Sequence, residues 1–160
     1  MVTQPGLHDN DLVLWTQLLG AVFNAELLER LAVEHPDVRY SHGFVFQQLV
    51  EGPRPVGEVA ENLGVSSQAI SKAARQLEAL GYVERVPDAD DARVRRLALT
   101  GRGHAAVQAG REIRAAINAE LAQALGAECV QAAARALKTA LEARGAMPAV
   151  LARRVPPPVG

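Results

Sequence analysis

The sequence is poor in residues that would staple it or give it chemistry. It holds one cysteine, Cys129, in 160 residues, so no disulfide can close within the chain. That cysteine and the four histidines show no zinc-finger spacing, and neither a structural metal nor a cofactor is expected. Aromatic residues make up only 4% of the chain. No run of about 18 uninterrupted apolar residues exists to span a membrane. The opening MVTQPGLHDND lacks the basic and apolar regions of a secretory signal, so a cytoplasmic, membrane-free protein is expected. A net charge of −1 rules out a chain coated in positive charge, so a surface for a polyanion would have to come from local clustering. Also missing are a nucleophile with its base, a carboxylate pair, a phosphate-cradling glycine loop and a metal set at workable spacing. No enzymatic activity is expected.

What is present suits a folded, mainly helical protein. The composition, 49% hydrophobic and 22% charged, is that of a globular chain, and the length suits one compact domain, or one small domain with helical additions. Abundant Ala and Leu lose little side-chain entropy in helices. From Asp11 to about Glu34, Leu12, Trp15, Leu19, Val22, Phe23, Leu27 and Leu31 recur at steps of three or four, predicting a long first helix that His35-Pro36 ends. A short helix capped by Ser41 carries Phe44 to Leu49 and stops at Gly52-Pro53.

Residues 55 to 86 read as two helices and a turn. Val56, Val59, Ala60 and Leu63 make one apolar side, Gly64 turns the chain, and Val65 plugs the corner. Ser66 or Ser67 caps a second helix with Ala69, Ile70, Ala73, Leu77 and Leu80 inward, ended by Gly81. A hairpin follows: strands Tyr82 to Val86 and Val94 to Leu99 around the polar tip Pro87 to Asp91. Thr100 caps a long helix with Ala105, Ala109, Ile113, Ile117, Leu121 and Leu125 at steps of four, Gly126 interrupts, and a last helix carries Val130, Ala134, Leu137 and Leu141. The tail, residues 146–160 with MPAVLARRVPPPVG from Met147 on, is expected to be flexible, its prolines excluding regular helix.

With Ile70, Ala73 and Leu77 inward, the second helix of the pair leaves Ser67, Gln68, Ser71, Lys72 and Arg75 outside, beside the cap Ser66. These supply amide, hydroxyl, ammonium and guanidinium donors along one stripe, which suits a DNA major groove, although most polar stripes are merely solvated. The hairpin strengthens the nucleic-acid reading, because Arg85, Arg93, Arg95 and Arg96 cluster where a ribbon beside such a helix meets backbone or minor groove. Residues 66–102 carry seven basic side chains (72, 75, 85, 93, 95, 96, 102) against five acidic ones (78, 84, 88, 90, 91), hence +2 and −3 elsewhere. Asp91 and Arg93 could instead brace the turn.

The order of elements, with VGEVAENLGVSSQAISKAARQLEALGYVERV followed by DADDARVRRLALTGRG, resembles the MarR family of regulators over roughly residues 10 to 145. The wing is its most specific part: Asp91, Arg93, Leu97, Leu99, Thr100 and Gly103 stand where that family keeps Asp, Arg, Leu, Leu, Thr and Gly. The resemblance implies a winged helix-turn-helix over 39–100, dimerisation helices over 10–34 and 101–145, and a homodimer binding double-stranded DNA at a pseudo-palindromic operator, often as a repressor. The apolar stripes of the terminal helices argue separately for a twofold partner, though an intrachain bundle would also cover them. Two departures stand out. Ala92 precedes Arg93 where the family commonly has a second arginine, and no cysteine lies in the first helix, where peroxide-sensing members carry their thiol. Cys129 is expected to be a buried packing residue.

The resemblance further suggests a pocket for a small aromatic or phenolic effector between the dimer helices and the DNA-binding lobe, with Trp15, Tyr40, His42, Phe44, Arg111 and Arg114 as candidate lining. The competing function is a winged-helix module for protein assembly, whose arginine-bearing wing would meet an acidic partner. Steep salt dependence would mark the DNA binder.

Overall fold

The computed structural model describes residues 11–88, 91 and 94–151. Helix α1 (Leu12–Leu31) starts at Asp11, whose carboxylate accepts from the Leu14 amide at 2.9 Å. It ends earlier than its periodicity suggests, with the His35 amide returning to the Leu31 carbonyl at 2.9 Å. Helix α2 (Tyr40–Leu49) begins ahead of the expected Ser41 cap. Its N-cap is Arg39, whose amide donates to Nδ1 of His42 at 3.2 Å. Strand β1 (Arg54–Pro55) leads into α3 (Val56–Leu63), then α4 (Ser67–Ala79), β2 (Val83–Pro87), β3 (Arg95–Leu99), α5 (Gly101–Leu125), α6 (Ala127–Ala143) and α7 (Met147–Leu151).

The turn between α3 and α4 forms as read. Gly64 takes φ 65°, a left-handed conformation costly for other residues, and Val65 follows it, packed against the core. Ser66 caps α4, its hydroxyl accepting from the Ala69 amide at 3.2 Å. The inward set shifts by a few positions: Ile70, Ala74 and Leu77 are buried, whereas Ala69 is exposed and Ala73 only half-buried.

The sheet has three antiparallel strands in the order β1-β3-β2. Two residues are too few for an alternating pattern, so β1 left no periodic signal in the sequence. Val59, Leu77, Tyr82 and Leu97 are wholly buried at the centre of one core, to which α2, α3, α4, the sheet and the start of α5 contribute. Each such side chain supplies about 1.5–3 kcal/mol by leaving water. Thr100 ties the lobe to α5: its hydroxyl donates to the Gly81 carbonyl at 2.6 Å and accepts from the Gly103 amide at 3.1 Å. A Cβ on Gly103 would lie 2.2 Å from the Tyr82 carbonyl oxygen, so this contact of helix and sheet requires glycine.

Two expectations need correction, on Cys129 and on the tail, and the stripe of α5 divides between faces. A strict step of four turns 400° and drifts 40° around the helix each time. Hence Ala105 and Leu125 of that stripe are exposed, while Gly103, Ala106, Val107, Gly110 and Ile117 form the buried side of α5. Cys129 is exposed rather than buried, on a helix that buries none of its residues in the single chain. The prolines do not exclude helix throughout the tail. Pro148 sits in the first turn of α7, where no amide is needed, and residues 152–160 lie outside the described residues.

By length and a mean hydropathy of 1.2, α1 is apolar enough to cross a membrane. It packs along α5, however, and Arg30 grips Glu120 of α5 with two hydrogen bonds of 2.8 and 2.7 Å, and Glu26 at 2.5 Å.

Candidate nucleic-acid interface and effector cavity

The buried side of α4 is Ile70, Ala74 and Leu77, and a helical rotation of 100° per residue places Gln68, Lys72 and Arg75 roughly opposite it. These three and Ser67 are exposed, and Ser71 is half-buried at the edge of the stripe. Ser66 is occupied as the cap. Among the described residues no carboxylate pairs with Lys72 or Arg75, so their charges face solvent uncompensated. Gln76, four residues beyond Lys72, extends the stripe, and that spacing alone would have revealed it.

The ribbon divides its arginines by face. The register pairs Val83 with Leu99, Arg85 with Leu97 and Pro87 with Arg95, placing Arg85 and Arg95 on the core-facing side, toward α4. Arg85 is held there by Glu78 of α4 at 3.0 Å. Arg95, nearer the tip, is exposed and has no acidic partner among the described residues. Arg96 points the other way, paired closely with the nearly buried carboxylate of Asp88 and reaching the Pro53 carbonyl at 3.4 Å. The alternation of a strand sends neighbours to opposite faces, so Arg96 lies away from Arg95, its guanidinium engaged by Asp88. The tip is braced by Asp88 too, whose carboxylate accepts from the Asp91 amide at 3.2 Å. Arg93 lies outside the described residues.

A cavity of about 250 Å³ opens between α1, α2 and α5. Of the six expected lining residues it takes in Tyr40, Phe44 and Arg114, joined by Leu28 and Leu31 of α1 and by Arg39. Tyr40 and Phe44 meet edge to face at 5.2 Å between centroids. Burial, and then the like charge of Arg111, lowers the proton affinity of the Arg114 guanidinium. Trp15 stands on the open side of α1 and Arg111 in solvent, so neither lines this cavity. His42 is buried but faces a different hollow, against α4.

A capped two-helix turn, an outward donor stripe and a ribbon bearing a free arginine on the same side define a winged helix-turn-helix of the nucleic-acid-binding class. Residues 40–94 match the MarR family model. YusO of Bacillus subtilis is 31% identical, with a TM-score of 0.65 over 81% of this chain and 92% of that one. The chain belongs to the MarR family of transcriptional regulators. A mutant of Escherichia coli MarR is 22% identical, with a TM-score of 0.66 over 84% and 99% of the two chains. MepR of Staphylococcus aureus has been solved as a mutant bound to an oligodeoxyribonucleotide, at 20% identity, TM-score 0.61 and 82% and 96% coverage, and also bound to ethidium bromide. No curated protein sequence is significantly similar to the chain.

Proposed function

We propose that the protein is a sequence-specific, homodimeric regulator that represses transcription by binding a pseudo-palindromic operator, and that a small aromatic or phenolic molecule releases it. One observation carries the reading: Gln68, Lys72 and Arg75 face solvent together on α4, without partners for their charges among the described residues, with Arg95 on the same side of the wing. Glutamine pairs with adenine and arginine or lysine with guanine in the major groove, while Arg95 is placed for backbone or minor groove.

Dimerisation rests on what one chain leaves uncovered. Leu12, Val13, Leu18, Leu19 and Val22 of α1 and Leu137 and Leu141 of α6 are all at least 40% exposed, far more apolar surface than scattered residues account for. A twofold partner covering these helices would set two α4 helices about 34 Å apart, one turn of DNA.

The cavity of about 250 Å³ suits a single ring, with Tyr40 and Phe44 for stacking and Arg114 to meet a carboxylate or phenolate. Binding there would release DNA by favouring a dimer with the wrong helix spacing. That MepR binds an oligodeoxyribonucleotide and ethidium lends this reading support by analogy.

The test is selection of bound genomic fragments, followed by affinity measurements on the selected site. Arg75→Ala should weaken specific binding by roughly 1–3 kcal/mol with the fold intact. An unchanged affinity removes Arg75 from the reading face.

A further inference from the structure

The first turn of α5 carries a cation where a helix least favours one. Arg102 is the second residue of that helix, at the end that the aligned peptide dipoles make positive, and no acidic residue in the same turn offsets it. The side chain turns back instead to the end of α4. Its Nη1 donates to the carbonyl oxygen of Leu80, the C-cap of α4, at 2.6 Å. The last turn of α4 has no basic residue of its own, so Arg102 supplies from another element the positive charge and the donor that a helix C-terminus lacks. The same guanidinium lies over the ring of Tyr82, just ahead of β2, at 4.4 Å from its centroid. Its Nη2 comes within 3.7 Å of Asp37, between α1 and α2. Tyr82 in turn engages that connection through its hydroxyl, 3.3 Å from Nδ1 of the buried His35.

We infer that Arg102 is a positioning residue for DNA binding: it clamps the end of the reading helix to the root of α5, and so sets the distance between the two α4 helices of a dimer. This rests on α4 being the DNA reader and α5 being part of the dimer arm. Helix α4 packs chiefly on α3, with smaller contacts to β2 and α2, so its buried side orients it within the lobe and leaves its relation to α5 to the junction at its end. Apolar packing of Ala106 and Val107 against the lobe is non-directional and tolerates small rotations, whereas hydrogen bonds weaken steeply when bent. The lever is long. Gln68 stands twelve residues before Leu80, about 18 Å along the helix, so a tilt of the lobe against α5 by roughly 10° carries it about 3 Å, nearly one base-pair step. A planar guanidinium that reaches two elements while lying on a ring resists such a tilt, and a single ammonium on a flexible stem does not.

The test uses the full-length protein on the operator selected as above, on versions with one base pair inserted or removed at its centre, and on a version with one half-site scrambled. The wild type should prefer the native spacing about tenfold or more. Arg102→Ala should reduce that preference to about threefold or less, through weaker binding at the native spacing, while the single half-site is bound as before. Arg102→Lys should recover only part of the preference. The slope of log affinity against log salt should stay as it is. Loss by the same factor on every duplex, half-site included, would make Arg102 merely structural, and a shallower salt slope would make it a phosphate contact. Either result overturns the inference, as does a wild type indifferent to spacing or a full preference in Arg102→Ala. Arg75→Ala keeps the two proposals apart: it should weaken the single half-site and leave the spacing preference intact. A half-site unmoved by Arg75→Ala counts against the reading face, whereas a preference unmoved by Arg102→Ala counts against the clamp alone.

Discussion

The lobe formed by α2, α3, α4 and the sheet buries its apolar residues almost completely, whereas the helices at the two ends of the chain do not. Leu77, Tyr82 and Leu97 are 0% exposed, yet α6 buries no residue and Leu12 of α1 is 63% exposed. One part of the molecule is finished as a single chain, and the other leaves apolar residues in solvent, which the proposed twofold partner would cover. If that partner is right, the lobe's stability is a property of the protomer, while that of the arms is tied to concentration.

The sharpest way to break this contrast is Leu77→Ala. A fully buried leucine truncated to alanine leaves a cavity and should destabilise the protomer by about 2–5 kcal/mol, read as a lower urea midpoint. That loss should persist at concentrations too low for dimers. Next in size is Leu137→Asp on α6. Exposed in one chain but proposed to be covered in two, it should cost the dimer about 1.5–3 kcal/mol of buried leucine, and more for the charge introduced. Sedimentation should show monomers with the urea midpoint of the lobe little changed. A dimer that survives intact would place the twofold interface elsewhere.

Much of the lobe was legible in the sequence because each of its features has a local cause. Gly64 needs a left-handed backbone, Ser66 a cap, and Leu97 and Leu99 strand alternation, and all three occur. The arms were less legible. The step-of-four spacing of α5 picks out one apolar stripe, whereas the packing within the chain uses Gly103, Ala106 and Gly110, small residues that hydrophobic periodicity underweights. Cys129 was expected to be buried on general preference, yet only a neighbouring element could bury it, and among the described residues it stands exposed on α6. At the reading surface the stripe on α4 followed from helix geometry alone. The wing did not, because the choice between Arg95 and Arg96 depends on register, and the cavity of about 250 Å³ depends on how α1, α2 and α5 meet.

That choice between neighbouring arginines is the next test. Arg95→Ala should lower the slope of log affinity against log salt by roughly one contact, with unfolding unchanged. Arg96→Ala should do the reverse: it takes the guanidinium away from the nearly buried carboxylate of Asp88 and lowers stability, with little change in the salt slope. An equal fall in slope for both would mean that the wing turns over on binding.

The smallest expected effect separates the regions by pH. In the lobe, burial and then Arg39 depress the pKa of His42 below its ordinary 6.5, so the folded state holds the neutral ring. The unfolded chain then takes up the proton first, and stability, full above about pH 6.5, falls as pH drops through the folded value. In the arms, the hydrogen bonds from Arg30 hold Glu120 below its ordinary 4.5, so the folded state favours the carboxylate. That contribution is present above pH 4.5 and is lost only below it. Urea midpoints measured against pH should therefore show two separate declines. His42→Gln, whose amide oxygen can still accept the Arg39 amide, should flatten the upper one, and Glu120→Gln the lower. If His42→Gln leaves the upper decline as steep as before, another group titrates there.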